Sequence, residues 1–358
     1  MPGTRRQTHH TMRSPLWAKI MVTIGAVVTL VAAGGFAYAK NLLNTVNSAV
    51  GQDDFIDNDA DPGSDLEGPL NLLLLGSDKR DDWTTQHSDT IMILHVSKNL
   101  DSATITSIPR DLYVPIQDCG ELYDSPCETK ITEAIATGGD DTKAGIQNLV
   151  TTLNDLTGID LDGVVLINFA GFADLVNTLG SVELCLPFDM PIRYLDGEVK
   201  PKGCNEYDPD EALAIVRERY AYYPDQNPAY EEGWGLGDYG RQHMQQHFIK
   251  QLLAKAEADG YASDVFKIGD LIESIGGQFV VDIGNREPAE FAFDLRHVKP
   301  TEMETATVPS EPQNIDNTSY VVTQPGEQQD AADALWKALR DDDMDQWIAD
   351  NPDWVNQD

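Results

Sequence analysis

Residues 20–39 contain no charged side chain, and this apolar run constrains the chain more than any other feature of its sequence. Twenty residues in a helix rise about 30 Å, which is the thickness of the hydrocarbon core of a bilayer. The run therefore predicts a transmembrane anchor. The alternative is a cleaved signal peptide, because Ala37, Tyr38 and Ala39 resemble a cleavage site, although the run exceeds the usual ~7–15 apolar residues of such a peptide.

Charge is distributed unequally on the two sides of this run. Four of the 25 basic side chains lie within residues 1–19, which contain no acidic residue, whereas residues 53–61 contain five aspartates. Basic residues are in excess only before the apolar run. This distribution predicts that the N-terminus lies inside the cell. We expect a single-pass protein of the cell membrane with a basic cytoplasmic tail (1–19), an anchor (20–39), a juxtamembrane spacer (40–68) and an extracytoplasmic domain.

The part of the chain that follows the tail is strongly acidic. Its 21 remaining basic side chains face 60 acidic ones, which gives a net charge of −39. Binding to a nucleic acid depends on lysines and arginines that neutralise phosphates. This composition therefore argues against a nucleic-acid partner and against a DNA-binding regulator.

The four cysteines, Cys119, Cys127, Cys185 and Cys204, all follow the apolar run. Their spacing contains no CxxC pair, which argues against a zinc site. An even number of cysteines in an exported domain favours disulfide bonds, and four residues allow three pairings. Pairing of sequence neighbours, 119 with 127 and 185 with 204, is the favoured arrangement, and four free buried thiols are the alternative.

Short apolar runs and stretches of helical periodicity alternate without a βαβαβ rhythm. This alternation predicts an α/β (α+β layered) fold with a central mixed sheet flanked by helices, in one domain over residues 69–308 that precedes an acidic extension, 309–358. The predicted strands are residues 70–75, 90–96, 103–108, 164–169 and 182–186, with 97–102 as a hairpin connection. The predicted helices cover residues 146–156, 172–179, a segment that begins at Asp208, and 238–258.

The third helix has a well-defined start. Asp208 suits the N-cap, Pro209 the first helical position, and Glu211 the position that completes a capping box. Arg217 and Arg219 are expected to lie on this helix.

Arginines recur at the ends of apolar elements, where loops and pockets form. Arg80 and Arg110 follow strands, and Arg241 opens the fourth helix, where it and Gln245 begin the apolar stripe. A buried arginine needs an anionic partner, and the guanidinium group suits the oxygens of a phosphate. The alternative for each arginine is a surface ion pair.

Two aspartates flank the first two predicted strands, Asp78 in GSDKR and Asp89 in HSDT. Such carboxylates suit Mg²⁺ shared with substrate phosphates, or a base that accepts a proton from a hydroxyl. The alternative is that both aspartates cap turns. No GxxxxGK[ST], HExxH or GxSxG motif occurs, so the mechanisms that depend on those motifs are set aside.

Seven segments, taken together and in this order, resemble the LytR-CpsA-Psr family over residues 70–260. They are NLLLLGSDKR, HSDT, SIPRDLYVPI, ETKITEA, LDGVVLINFAGFADLVNTLGSVEL, DPDEALAIVRERY and GDYGRQHMQQ. The resemblance implies a single α/β domain on one transmembrane helix, with an apolar pocket for a polyprenyl chain. It also implies transfer of a polyprenyl-pyrophosphate-linked glycopolymer to peptidoglycan, with Mg²⁺ assisting. Residues 72–75 and 164–169 are candidate walls of the pocket, although core packing explains them equally well.

The family's functional residues fall on matching positions of this chain. Asp78 and Asp89 would bind the metal and take part in catalysis, together with Arg110. The resemblance places the pyrophosphate contacts at Arg80, Arg110, Lys130, Arg217, Arg219, Arg241 and Gln245.

Three positions depart from the family pattern. His87 and Met244 stand where arginines are usual, and Thr132 replaces a common asparagine. An imidazole titrates near neutrality, so His87 would make pyrophosphate binding weaker or dependent on pH. These departures keep two alternatives open, a hydrolase that uses water as acceptor and a wall-binding module that holds the lipid without catalysis.

Overall fold

The computed structural model describes residues 51–56, 66–77, 87–120, 124–261, 265–275 and 279–356. The predicted tail and anchor, and the site residues Asp78 and Arg80, lie outside these ranges. None of the helices within the described ranges is both long enough and apolar enough to cross a bilayer.

The described residues form sixteen strands and nine helices, apart from short 3₁₀ turns. The strands are β1 (Gly51–Gln52), β2 (Leu70–Ser77), β3 (Ser88–Val96), β4 (Ala103–Ser107), β5 (Tyr113–Ile116), β6 (Cys127–Lys130), β7 (Gly163–Asn168), β8 (Val182–Leu186), β9 (Met190–Ile192), β10 (Glu198–Lys200), β11 (Gly203–Tyr207), β12 (Phe279–Asp282), β13 (Glu304–Thr307), β14 (Glu311–Ile315), β15 (Thr318–Val322) and β16 (Val355–Asn356). The helices are α1 (Glu133–Ala136), α2 (Thr142–Thr157), α3 (Phe169–Leu179), α4 (Pro209–Arg217), α5 (Asp238–Ala258), α6 (Val265–Ile275), α7 (Pro288–Asp294), α8 (Glu327–Asp341) and α9 (Met344–Asp350).

Eight strands form a central mixed sheet in the order β1-β12-β7-β2-β3-β4-β13-β16. Strands β2, β3 and β4 pair antiparallel, whereas β7 joins β2 and β13 joins β4 in parallel. The connection at residues 97–102 is closed by a hydrogen bond from the Ser97 N–H to the Ser102 carbonyl, 3.0 Å. The mixed α/β sheet, the five predicted strands and the hairpin connection are thus confirmed.

Helices cover both faces of this sheet. Leu73 and Ile93, opposite each other in β2 and β3, join Leu149 of α2 and Leu335 of α8 in one buried apolar cluster. On the other face, Gln246 of α5 donates hydrogen bonds to the Ser107 hydroxyl (2.8 Å) and the Ala306 carbonyl (2.7 Å). These buried bonds fix α5 across the ends of β4 and β13, which places its N-terminus beside the loop after β4.

The residues after 309 pack into the same core as the strands. Trp336 of α8 and Trp347 of α9 are buried, and β16 pairs with β13 at the edge of the central sheet. His95 of β3 contacts Asp342, at the end of α8, through its Nε2 atom at 3.0 Å. The acidic segment that the sequence marks as an extension is therefore a structural part of this domain.

Two disulfide bonds join Cys119 to Cys127 and Cys185 to Cys204. The favoured pairing is confirmed. The second bond links β8 to β11, next to the segment that leads into α4.

Candidate active site

Three of the predicted site residues meet at one end of the central sheet. Asp89 is the second residue of β3, and Arg110 follows the end of β4, so the antiparallel pairing of these strands places the two side by side. Nη1 of Arg110 donates to Oδ1 of Asp89. Arg241, in the first turn of α5, donates from Nη2 to the Asp89 carbonyl at 3.1 Å, and its Nη1 lies 3.8 Å from Asp89 Oδ1.

Asp238, the first residue of α5, is a member of this cluster that the sequence did not identify. Its Oδ1 lies 2.7 Å from Nη2 of Arg241. Burial opposes the charge on Arg110, but the carboxylates of Asp89, Asp238 and Asp111 outweigh it and raise the pKa of its guanidinium group. Arg110 is therefore held fully charged. The sequence contained one signal that could have identified Asp238. It is the first residue of a helix and stands three residues before Arg241, a spacing that allows an ion pair.

Arg217 lies between two aromatic rings. Its guanidinium carbon is 4.1 Å from the centre of the Phe169 ring and 4.2 Å from that of Tyr194, and Tyr194 is half exposed. Such stacking holds a guanidinium plane while leaving its N–H groups free to bind an anion. Within the described ranges, Arg217 forms no ion pair.

The prediction that Arg219 shares a helix with Arg217 is wrong. Helix α4 does begin at Asp208 with the expected capping box, but it ends at Arg217, and Glu218 is extended. The reason is the carboxylate of Glu218, which is fully buried. Its Oε1 accepts hydrogen bonds from the backbone N–H groups of Arg219 (2.9 Å), Tyr220 (2.7 Å) and Ala221 (3.3 Å). These bonds stabilise a tight turn in place of another helical turn.

The turn after α4 docks directly against the start of α5. A Cβ atom added at Gly240 would lie 2.3 Å from the ring of Tyr222, so only glycine permits this approach. The contact brings Arg219 within electrostatic range of Asp238 and Arg110. Arg219 thereby belongs to the same cluster as Arg110 and Arg241.

Arg193, in the turn between β9 and β10, is a further cation that the sequence did not identify. Its guanidinium carbon lies 4.5 Å from the centre of the Tyr220 ring, and its backbone N–H donates to Glu218 Oε2 at 2.6 Å. The Tyr220 hydroxyl accepts a hydrogen bond from Arg219 Nη2 at 3.1 Å, which lowers the pKa of Tyr220. The Arg-Tyr pairs at 193–194 and 219–220 were the only sequence signal for this association.

Two other predicted contacts lie at the edge of the cluster. Lys130 is directed to Asp111, with Nζ 2.9 Å from Oδ1. Gln245, one helical turn after Arg241, donates to the Val216 carbonyl at 3.3 Å.

At the three positions that depart from the family pattern, each side chain contacts neighbouring residues of the fold. Nε2 of His87 lies 3.9 Å from a carboxylate oxygen of Glu133. Met244 is fully buried in an apolar cluster, and the Thr132 hydroxyl donates to the Ser88 carbonyl at 3.1 Å.

Several polar atoms of the cluster are buried and have no hydrogen-bond partner among the described residues. They are Nε of Arg110, Nε of Arg241, Oε1 of Gln245 and Oδ1 of Asp238, whose contact with Arg241 is an ion pair. Each such atom costs about 1–3 kcal/mol when it is left unsatisfied. Two orphaned guanidinium donors beside partly exposed arginines are the arrangement expected of a site that binds an anion.

An apolar strip adjoins the arginines. Leu74, Val165 and Ile167 lie on the face of the sheet that α5 covers, and each is only partly buried. Phe169, which stacks on Arg217, directly follows β7. Of the predicted pocket walls, Leu72, Leu73 and Leu75 belong to the closed core, whereas the second half of β7 is accessible.

The residues available for a metal ion are few. The described part of the chain contains no cluster of three or more histidine, cysteine or acidic side chains that could hold one. Both guanidinium groups that contact the Asp89 carboxylate do so at Oδ1. In the described ranges no hydrogen bond reaches Oδ2, and this oxygen fits one ligand of a Mg²⁺ ion whose other ligands are phosphates and water.

Comparison with known proteins places these features in context. The model of the LytR_cpsA_psr family matches residues 37–340. The cell wall biosynthesis protein LcpA of Corynebacterium glutamicum is 26% identical over 349 residues, which cover 86% of this chain and 62% of LcpA. A polyisoprenyl-teichoic acid–peptidoglycan teichoic acid transferase, TagU of Bacillus licheniformis, is 27% identical over 268 residues, which cover 72% of this chain and 76% of TagU. The match to the probable cell wall biosynthesis protein LcpB of Corynebacterium glutamicum spans 52% of that protein, so this chain corresponds to only part of the two Corynebacterium relatives.

Solved structures share the fold. TagV of B. subtilis superposes with a TM-score of 0.58 at 21% identity, covering 77% of this chain and 98% of TagV. TagT bound to LIIa-WTA gives a TM-score of 0.58 at 24% identity and covers 81% of this chain and 96% of TagT. At this level of identity the likeness establishes the mixed α/β fold with its central sheet.

Proposed function

The chain belongs to the LytR-CpsA-Psr family, and on that premise we propose that it is a membrane-anchored phosphotransferase. Its donor is an anionic glycopolymer linked to a polyprenyl pyrophosphate, and its acceptor is peptidoglycan outside the cytoplasm. The observation that carries the proposal is the convergence of Arg110, Arg219 and Arg241 beside the accessible apolar strip. The relative TagU is named a polyisoprenyl-teichoic acid–peptidoglycan teichoic acid transferase, and this name supports the same classes of donor and acceptor.

The charge distribution supports an anionic ligand at this site. The sequence contains 60 acidic side chains against 25 basic ones, so carboxylate partners for an arginine are abundant. Even so, Arg193, Arg217 and Arg219 form no ion pair within the described ranges and contact aromatic rings instead. The net negative charge of the domain is screened beyond about 10 Å at ~0.1 M salt, so the local guanidinium groups dominate the field at a bound diphosphate.

The apolar strip supports a lipid-linked donor. A diphosphate held by Arg217 lies next to Phe169. Strand β7, which ends one residue before Phe169, carries the partly buried apolar side chains Val165, Leu166 and Ile167. We propose that the polyprenyl chain covers Val165 and Ile167. The predicted anchor at residues 20–39 keeps the site near a donor that cannot leave the bilayer.

Mg²⁺ is a further part of the proposal. Asp89 Oδ2, together with the predicted partner Asp78, would hold the ion, and the ion would neutralise charge on the oxygens of the diphosphate. Arg110 and Arg241 fix the Asp89 carboxylate from the opposite side, through Oδ1.

The reaction requires little covalent participation by the protein. A hydroxyl of the acceptor attacks the phosphorus atom on the polymer side of the diphosphate, and a new P–O bond forms. The P–O bond to the other phosphate breaks, and polyprenyl phosphate leaves. The hydroxyl proton passes to Asp78, because both oxygens of Asp89 would already have partners. The arginines neutralise the charge of the transition state and of the leaving group, which is the main contribution a protein makes to phosphoryl transfer.

The test uses the full chain in phospholipid vesicles that contain a polyprenyl-pyrophosphate glycan, with peptidoglycan oligomers and Mg²⁺ outside. We expect glycan to become attached to peptidoglycan, and Arg217→Ala to lower kcat/KM by about 100-fold, because a charge-assisted contact to the bound diphosphate is lost. Arg296→Ala, an exposed arginine beside Asp294, is the matched control. Release of free polymer phosphate would indicate a hydrolase, binding without turnover a non-catalytic module, and full activity of Arg217→Ala a different site.

A further inference from the structure

A second concave site lies on the side of the sheet away from α5. A cavity of about 340 Å³ opens between β5, the β14–β15 hairpin and α8. Its size falls within the range of small-molecule sites, and its lining combines apolar walls with a few polar groups, as such sites do. The polar and aromatic lining residues are Tyr113, Gln313, Thr323, Gln324, Gln329 and Trp336.

The lining carries no charge. None of the fourteen described residues around the cavity is acidic or basic, although 24% of the chain is charged. An ionic ligand would leave its charge without a partner at this surface, which is costly. The lining therefore selects an uncharged ligand.

The rim carries carboxamide groups. Nε2 of Gln324 donates to Oε1 of Gln313 at 3.3 Å, across the hairpin. A carboxamide has two donors and two acceptor lone pairs, so this contact leaves a carbonyl group on Gln324 and an amino group on Gln313 available. Such a pair complements the acetamido group of an N-acetylated sugar, which also donates once and accepts once. Leu156, Ile315 and Val322, the partly exposed apolar residues of the lining, suit the apolar face of the sugar ring.

The cavity is close to the arginine cluster. Leu112 and Tyr113, two of its lining residues, directly follow Arg110 and Asp111. Three residues of chain span at most about 11 Å, so Arg110 lies within that distance of the cavity wall, measured between Cα atoms. The Leu112 backbone also bridges to Val321 of β15, which joins the wall of the cavity to the loop that carries Arg110.

A second connection runs from α5. The Tyr239 hydroxyl, next to Asp238, lies 2.9 Å from the hydroxyl of Ser310, which donates to the Val308 carbonyl at 2.8 Å. Val308 lines the cavity. These two connections join the wall of the cavity to the loop that carries Arg110 and to the first turn of α5.

We propose that this cavity binds an uncharged N-acetylated amino sugar of the acceptor glycan and thereby presents a neighbouring hydroxyl to the diphosphate held by the arginines. The inference rests on the proposed function, since it assigns the acceptor side of the same reaction. Donor and acceptor then approach the cluster from different sides, as an in-line displacement requires.

Binding of tri-N-acetylchitotriose, an uncharged N-acetylglucosamine trimer, tests this inference. The full chain in detergent micelles is titrated while saturation-transfer NMR and tryptophan fluorescence are recorded. We expect saturable binding that Gln313→Leu/Gln324→Leu weakens about tenfold, since hydrogen bonds to the acetamido group are lost. Gln346→Leu, an exposed glutamine on α9, is the matched control and should bind like the unaltered chain. Equal melting temperatures of the three proteins would exclude misfolding.

Two results would overturn the inference. They are the absence of binding by the unaltered chain, and equal affinity of the double variant. In the vesicle assay the double variant should raise the KM for peptidoglycan about tenfold, with a smaller effect on kcat. If the unaltered chain bound the sugar but transferred no glycan, the proposed function would be refuted and the assignment of the cavity would stand. If it transferred glycan but did not bind the sugar, the assignment of the cavity would be refuted and the proposed function would stand.

Discussion

Arg110→Ala is expected to lower the kcat for glycopolymer transfer by about 100- to 1000-fold, the largest loss from any single arginine. Arg110 donates directly to the Asp89 carboxylate, whereas Arg241 donates to the Asp89 carbonyl, and Arg110 also has a buried Nε without a hydrogen-bond partner among the described residues. Its removal deletes one charge-assisted donor to the transition state and releases the carboxylate that we propose binds Mg²⁺. Steady-state kinetics with a polyprenyl-pyrophosphate glycan measure the effect.

Arg110→Lys separates charge from geometry. An ammonium group restores the positive charge but not the planar guanidinium geometry. We therefore expect Arg110→Lys to recover only a small part of the kcat that Arg110→Ala loses. The Mg²⁺ concentration for half-maximal activity should rise in Arg110→Ala, because Asp89 loses the partner that orients it. If the alanine variant kept the kcat of the unaltered chain, Arg110 would be a structural ion pair and the proposed mechanism would be wrong.

The middle of the central sheet, strands β7, β2, β3 and β4, could be predicted from the sequence because its signals are local. The apolar runs of β2, β3 and β4 and the turn at residues 97–102 specify one compact hairpin arrangement without help from the rest of the chain. Strands β9 and β10 were missed, since three residues each carry too little pattern to separate a strand from a loop. The packing of the C-terminal helices was missed for a different reason. The sequence marked residues 309–358 only as an acidic extension, whereas the burial of Trp336 and Trp347 places the segment in the core.

Some residues of the candidate site could likewise be predicted from the sequence, and others could not. Residues at strand and helix ends, such as Asp89, Arg110 and Arg241, were predictable because the ends of neighbouring strands meet. Their roles come from the family resemblance and stay predictions. Arg193 was not predictable, because its association with Arg219 depends on how the β9–β10 hairpin folds over the turn at Tyr220.

Glu218→Gln is expected to reduce both the stability and the substrate affinity of the domain. The Glu218 carboxylate accepts hydrogen bonds from four backbone N–H groups, three in the turn that carries Arg219 and one at Arg193. A carboxamide offers one acceptor oxygen, and its amino group would face the remaining donors. We expect the free energy of unfolding to fall by about 2–3 kcal/mol, because charge-assisted bonds in a buried place are replaced by unsatisfied donors. Thermal and denaturant unfolding measure the loss.

The effect on substrate distinguishes a positioning role from a purely structural one. Glu218 fixes the backbone that directs Arg217, Arg219 and Arg193, so loosening it moves guanidinium groups that bind the donor in its ground state. Well below the melting temperature of the variant, we expect the KM for the donor to rise about tenfold or more while kcat changes less. Glu218→Asp, which keeps the charge, should recover part of the affinity, and Glu183→Gln, on the exposed face of β8, should change neither quantity. If Glu218→Gln lowered the melting temperature but left the KM for the donor unchanged, the carboxylate would have only a structural role. The positions of the arginines would then not depend on this turn.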